Sequence, residues 1–397
     1  MRLVLDLGRT PTQRFGAVFA IKRCYRVLAI ESSCDDSCVA VLERENGATR
    51  LIEQTKRTLN SIETGGIIPT KAHELHQHHL PLLAQEMVAK HGSPSLVCCT
   101  RGPGMVGSLL AGLQLAKGLA VGFGVPLVGV HHMLAHILTA LMPQPNQNPP
   151  KYPFLSLLCS GGHTMLVFSK SLTEHEIIAN TADIAVGDSL DKCGRELGLR
   201  GVMIGRELEK YVESIPQATK VEFESWSSET SRLNPLGFSL RMPLKGGGHK
   251  RIPEVVNFSF AGFLSSVHTY KRHNQELSNL HRQYAAYKLQ EVMFDHIIDR
   301  IMIALEKYGS SGKFGQVEDL IFSGGVASNR RFREKLAQFD FNLHFPNPAL
   351  CTDNAAMIGL TGVEFYEELG LQSDLSVRPI PKWPMNDLLL VEGWIER

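Results

Sequence analysis

The chain has 397 residues, 43% of them hydrophobic and 20% charged, which is the balance of a globular protein with room for two cores and excludes a disordered one. Its 41 Lys and Arg against 40 Asp and Glu leave a net charge of +1, so no global field selects or excludes a nucleic-acid partner, and any basic surface must be local. The eight cysteines include no CxxC pair, which points to a reducing compartment; no apolar run of bilayer length is free of polar residues, so no membrane association is expected.

Taken in chain order, the first 26 residues carry Arg2, Arg9, Arg14, Lys22, Arg23 and Arg26 against one acid, Asp6. That is the composition of a mitochondrial presequence, set here at residues 1–25 and outside the fold. Val27–Ile30, the polar turn Glu31–Asp36 and Cys38–Leu42 then read as strand, turn, strand. Phe154–Leu158, the turn Cys159–Thr164 and Met165–Phe168 repeat the unit about 130 residues later, which predicts a duplicated α/β fold with a cleft between its halves. Asp319–Ser323 followed by Gly324-Gly325 and Asn329-Arg330 reads as a buried strand, a glycine turn and a helix start, an arrangement suited to an anionic ligand. The stretch from about Glu213 to Asn257, rich in Ser, Glu, Pro and Gly, predicts a surface insertion, and Arg282–Leu305 returns to helical periodicity.

The segment GVHHMLAH raises a sharper question, because it places His131, His132 and His136 in an apolar context. On a helix, His132 and His136 share a face and can chelate one ion, whereas His131 points elsewhere. A zincin protease would need a glutamate directly after the first histidine, where this chain has Met133. Asp353 is the best candidate for a third ligand, although on local grounds an aspartate before an apolar helix reads first as an N-cap, and the spacing alone suits satisfied core histidines as well as metal ligands. Two histidines and one carboxylate would leave open positions and suit iron or zinc. The rival run His73, His76, His78 and His79 lacks the clean four-residue pair and reads as a solvated helix face, and Cys34 and Cys38 lack a second pair.

Seven ordered segments, IESSCDDSC, RGPGMVGSLLAGLQLAKGLA, PLVGVHHMLAH, LCSGGHT, GDSLDKCGRELG, FSGGVASNR and CTDNAAMIGL, resemble the tRNA N6-adenosine threonylcarbamoyltransferases, the mitochondrial branch in particular. The resemblance implies a duplicated RNase H-like fold of the actin-like ATPase and sugar-kinase superfamily, with the active site in the interdomain cleft. It implies a first domain over 26–130 completed by 355–397, and a second over 131–354. It implies that His132, His136 and Asp353 hold one divalent ion, iron or zinc. The implied reaction moves a threonylcarbamoyl group from threonylcarbamoyl-adenylate to the exocyclic amine of the adenosine following the anticodon, in tRNAs reading codons that begin with A.

The implied donor site is the backbone of Leu158, Cys159, Ser160, Gly161 and Gly162 with Asp191 and Asn329, flanked by Ser328 and Thr352. Gly205 and Glu209 join it if one residue is inserted, because the family's proline-glycine-glycine-proline stretch is here Val202-Met203-Ile204-Gly205. The glutamate that bacterial relatives carry after the HHM run is Leu134, and their arginine near His76 is Glu74. Glu31, Asp35 and Asp36 are the candidates for a general base. Arg330, Arg331, Arg333 and the stretch Lys245–Arg251 are nominated for the body of the tRNA, whose single-stranded anticodon loop presents the target adenosine. The resemblance further implies a homodimer in the mitochondrial matrix, fed by a separate synthase. A metalloprotease acting on glycoproteins and an actin-like, ATP-hydrolysing or non-enzymatic scaffold are the competing readings.

Overall fold

The structure is a computed structural model and describes residues 24–397 apart from 61–63, 65, 145–146, 228–233, 246–254, 275, 310 and 316. Residues 1–23 of the expected presequence therefore lie outside the described residues. Cys24 and Tyr25 do not belong with that leader. They open the first strand, and the buried Tyr25 hydroxyl donates to Glu367 Oε1 at 2.7 Å.

The first half is built on β1 (Cys24–Glu31), β2 (Asp36–Glu45), β3 (Ala48–Thr58), β4 (Leu96–Gly102) and β5 (Leu127–His131), in the sheet order β3-β2-β1-β4-β5. The first three form an antiparallel meander, and β4 and β5 add in parallel through the helices α1 (Pro69–His91) and α2 (Val106–Phe123). After α3 (His132–Leu138) the second half repeats the design with β6 (Phe154–Cys159), β7 (Thr164–Ser169), β8 (His175–Asn180), β9 (Asp319–Ser323) and β10 (Asn342–His344). Its order, β8-β7-β6-β9-β10, is the same five-strand pattern, again a meander followed by two parallel strands. The duplicated RNase H-like architecture expected from the sequence is thus present at the level of topology.

Long insertions separate β8 from β9: α4 (Val186–Glu196), α5 (Ile204–Glu213), α6 (Gln217–Ser225), α7 (Ala261–His273) and α8 (Asn279–Gly309). The expected surface insertion near 213–257 is not all surface. Phe223 on α6 and the loop residues Phe238 and Leu240 are 0% exposed and pack with Tyr284 and Phe263 in the core of the second half. Polar composition hid three apolar anchors spaced too irregularly to read as a helix or strand face. The chain closes with α9 (Arg330–Leu336), α10 (Ala355–Glu368) and the short pair β11 (Leu371–Ser373) and β12 (Trp394–Glu396).

Strands read as near-continuous apolar runs because both faces of each sheet are covered. Leu28 and Ile30 face α1 and α2, while Val27 and Ala29 face inward to a shared middle layer. That layer holds α3 and α10 between the two sheets and takes Phe154, Leu158 and Met165 from the second. By length and composition α2 would suffice for a membrane span, contrary to the sequence expectation; in the fold it packs on the first sheet through Leu113, Ala116 and Ala120. His131 pins the C-terminal segment: its Nδ1 accepts from Leu134 N at 3.2 Å and its Nε2–H donates to Trp383 O at 2.9 Å. Burial pushes its pKa down to about 3, so it stays neutral and structural.

The return of α10 to the first sheet depends on a close approach. A Cβ on Gly362 would stand 2.3 Å from Cys98 Sγ on β4. Gly362→Val is therefore expected to cost about 2–4 kcal/mol by overpacking, read as a lowered Tm, and Cys98→Ala should recover part of it. No loss in the single variant would show that α10 docks more loosely than described.

Candidate functional site: a metal-ligand triad at the ends of the central strands

α3 begins where β5 ends, at the carboxyl edge of the first sheet, where open α/β sheets place their ligands. All seven of its residues are buried, so its two histidines have no solvent to fall back on. His131 caps the helix with its side chain, which fixes the turn that brings His132 onto the inner face. His132 and His136 stand edge to face with centroids 4.7 Å apart.

Asp353 arrives from the turn before α10 and meets both. Its Oδ1 is 3.0 Å from His136 Nε2 and 3.6 Å from His132 Nε2, and one donor atom from each of the three residues lies within 4.8 Å of the others. Ligands about 2.1 Å from an ion at a tetrahedral site are about 3.4 Å apart, close to the two separations from Asp353, and two imidazoles with one carboxylate suit zinc or iron. Asp353 is not the N-cap of α10. Asn354 is, with its Oδ1 accepting from Met357 N at 2.9 Å, which leaves the aspartate carboxylate free to face the histidines.

Electrostatics agree with the geometry. Burial alone would push His132 down, but the carboxylates of Glu31 and Asp353 raise it to about 9. Burial would raise Asp353, yet His132 and then His136 hold it well below the usual carboxylate range. The spot is built to hold positive charge. The Nδ1 of His136 is buried without a partner, so of its two nitrogens only Nε2 is engaged, on the face shared with Asp353.

Glu31 does not stand where a general base is needed. It is 0% exposed, its Oε1 accepts from Ser33 N at 2.6 Å, and its Oε2 accepts from Thr100 Oγ1 and, at 3.2 Å, from His132 Nδ1–H. The carboxylate thereby fixes the proton of His132 on Nδ1 and turns Nε2 toward Asp353, the usual second-sphere support of a metal-bound imidazole. Asp36 is likewise committed, to Thr58 and to Lys56 Nζ at 3.0 Å, and burial pushes it up to about 6 against the pull of that lysine. Asp35 alone of the three acids is half-exposed and in no ion pair among the described residues, its carboxyl raised by burial and by Asp353.

Two neighbours were not singled out from the sequence. Lys56 on β3 donates to Thr352 Oγ1 and to the carbonyl of Asp353, both at 3.2 Å, so it holds the ligand turn by its backbone. His163, in the turn after β6, sits in the field of His132 and His136 and is pushed by burial and by those rings down to about 4. The histidine in LCSGGHT was a visible signal for the second; a lone lysine in a strand gave none for the first. In the rival histidine run, His76 is buried and used up on Ser37 Oγ (2.7 Å) and Cys34 O (3.0 Å).

The residues expected to bind the donor form a second group. Ser160 Oγ accepts from Gly162 N and His163 N, closing the turn after Leu158 and Cys159. Asp191 accepts from Ile204 N at 3.0 Å and pairs with Arg195, rather than with Lys192, which pairs with Asp188. Gly205 follows on α5 with open space at its α-carbon. Glu209 Oε1 accepts from Arg330 N at 2.7 Å, and Asn329 caps α9 through Phe332 N at 3.0 Å. Ser328, exposed, donates to Gly325 O.

Gly324, whose φ of +90° and missing Cβ let it lie against the carbonyl of Cys159, stays within the second group; next to it, Gly325 approaches Thr352, the neighbour of Asp353. Of the basic residues nominated for tRNA, Arg331 is held by Glu291 and Glu334 and Arg333 by Ala327 O over the Phe345 ring, while Arg330 makes an exposed pair with Glu334. Residues 246–251 of the other nominated stretch lie outside the described residues.

Glu31→Gln is expected to weaken metal binding by about 10–100-fold, measured by competition with a chelator, while the fold stays intact. An unchanged affinity would remove Glu31 from the centre's support. Because His132 in the ion-free protein is charged up to about pH 9, metal binding near neutral pH should release about one proton, and apparent affinity should rise with pH up to that value. Calorimetry in two buffers of different ionisation enthalpy reads the proton; equal heats would contradict it.

Comparison with known proteins identifies the family. The profile of the tRNA N6-adenosine threonylcarbamoyltransferase family matches residues 51–360, more than half of the chain. A mitochondrial tRNA N6-adenosine threonylcarbamoyltransferase of Schizosaccharomyces pombe is 37% identical over 401 aligned positions, covering 96% of this chain and 91% of that protein. Among solved structures, HypF of T. kodakarensis superposes with a TM-score of 0.50 at 13% identity, over 87% of this chain and 48% of the larger one, which speaks to the fold alone. The chain belongs to the tRNA N6-adenosine threonylcarbamoyltransferase family.

Proposed function

We propose that this protein transfers the threonylcarbamoyl group from threonylcarbamoyl-adenylate to the exocyclic amine of the adenosine next to the anticodon, in mitochondrial tRNAs reading codons that begin with A. One observation carries the reading: His132, His136 and Asp353 bring three metal-ligand atoms within 4.8 Å of one another, and the turn that carries Asp353 is approached through Thr352 by Gly325, in the glycine turn before Asn329. The mitochondrial designation of the S. pombe relative and the basic residues before Cys24 support the organelle.

An adenosine amine is a weak nucleophile, so the acyl donor must be an activated mixed anhydride held in line with it. A divalent ion in the triad, iron or zinc, would polarise donor oxygens on which charge develops. The backbone of Leu158–Gly162 lies along the donor, with Asp191, Glu209 and Asn329 toward its nucleotide, Gly205 leaving room for it and Ser328 and Thr352 at its margins. Asp35 takes the proton from the attacking amine. Glu31 and Lys56 act through others, orienting His132 and the Asp353 turn. The target base comes from a single-stranded loop, so it enters the cleft without breaking a duplex. The donor is made by a separate synthase from threonine, bicarbonate and ATP, and the transferase works as a homodimer.

The competing readings have less support. Met133, buried, occupies the position where a protease of this histidine spacing needs its glutamate. The turn Ser160–His163 has no carboxylate, whereas an actin-like ATPase would need an acidic group in both turns.

The test is transfer of labelled threonine to an unmodified tRNA reading A-starting codons, with synthase and ATP supplied and the chain begun at Cys24 so that β1 stays whole. Label should appear in the nucleosides with the wild type and fall by about 10²-fold or more in Asp353→Ala. Equal label in the two would detach the triad from the reaction, and no label in either, with the synthase active, would contradict the transferase reading itself.

A further inference from the structure

Several cations on the second half are held by carboxylates: Lys192 by Asp188, Arg195 by Asp191, Lys210 by Glu207, Lys271 by Glu196, Arg331 by Glu291, and Lys335 by Glu291 and Asp295. Three arginines around the loop between α4 and α5 are different. Arg200, Arg206 and Arg282 are exposed, and their guanidiniums make no ion pair or hydrogen bond among the described residues. Three separate elements bring them to one surface. A Cβ on Gly198, at the end of α4, would lie 3.8 Å from Arg282 Nη1, and Arg200 follows two residues later. The first turn of α8, which carries Arg282, is tied to α5 by the bond from Tyr211 Oη to Asn279 Oδ1 at 3.0 Å.

Arg206 lies one turn before Glu209 on α5, and Glu209 holds the backbone N–H of Arg330. The arc therefore runs from Arg282 and Arg200, past the exposed Val202 (59%) and Met203 (50%), to Arg206 and the start of α9, along the outer lip of the donor-side group. All three cations are arginines, whose planar forks suit phosphate oxygens and whose weak hydration makes contact cheaper than for lysine. Exposed guanidiniums without partners add no pair to stability, and three of them on one surface make a local positive patch on a protein of net charge +1.

We propose that Arg200, Arg206 and Arg282 form the phosphate track that receives the RNA backbone flanking the target adenosine. This inference rests on the tRNA reading above and adds the surface to it. The track replaces Arg331 and Arg333, whose guanidiniums are committed within the protein. It is sequence-independent, because it contacts backbone and not bases. The apolar pair Val202-Met203 between the cations gives the unstacked loop bases a surface to lie on.

The experiment compares the full chain with the triple variant Arg200→Gln, Arg206→Gln, Arg282→Gln and its charge-preserving Lys counterpart. Binding of an unmodified tRNA transcript is titrated between about 50 and 200 mM salt, with AMP binding and Tm measured alongside. The Gln variant should bind tRNA about tenfold weaker or more, with a log–log salt slope flatter by about 2–3, while AMP affinity and Tm hold; the Lys variant should keep most of the slope. Unchanged tRNA affinity and slope in the Gln variant would overturn the track and leave the transferase reading standing. An equal loss of AMP affinity would also overturn it, by assigning the arginines to the donor. A wild type that binds no tRNA would overturn the track and the function together.

Discussion

The enclosure of α3 between two sheets is the constraint from which the rest of the site follows. A seven-residue helix with every side chain buried must either be wholly apolar or carry polar groups that satisfy one another. His132 and His136 break the apolar rule, and the fold answers with two carboxylates from opposite directions, Glu31 from the first turn and Asp353 from the return to the first sheet. Each acid has a different task. Glu31, sealed, fixes a tautomer; Asp353, 24% exposed, faces the open side with the imidazoles. Removing either partner would leave a buried group without its counter-charge, the expensive case in protein interiors.

The duplication explains why chemistry collects at this edge. Each half ends its first strand in a polar turn, and the two differ: Glu31–Asp36 is acidic and lies on the side of His132, while Ser160–His163 carries no carboxylate. Parallel strands β5 and β9 then deliver α3 and the Gly324 turn to the same place. There Gly324 lies against the Cys159 carbonyl, and Gly325 beside it approaches Thr352, next to Asp353.

Much of this was legible in the sequence because it is local. Strand, polar turn and strand recur in pattern; a spacing of four puts two histidines on one face; glycines after a strand announce a close approach. Asp353 was harder, since an aspartate before an apolar helix reads as a cap, and only the structure shows Asn354 doing the capping. What was not legible depends on partners far apart in the chain. Glu31 looks like a base until the fold closes Thr100 and His132 around it, 69 and 101 residues away. Lys56 has no motif, and its role exists only because β3 runs past the Thr352–Asp353 turn. Near 213–257 composition averages over the few apolar anchors that matter, and Cys24-Tyr25 is too short to announce the start of β1.

The central claim is that the enclosed triad is a metal centre and not a satisfied cluster of core polar groups. X-ray absorption at the iron and zinc edges of the purified protein tests it most directly. The account predicts about one equivalent of metal with a first shell of two imidazole nitrogens and oxygen at about 2.0–2.2 Å, losing one imidazole in His136→Ala. A metal-free protein that takes up no ion on reconstitution, or a first shell without imidazole, would contradict it.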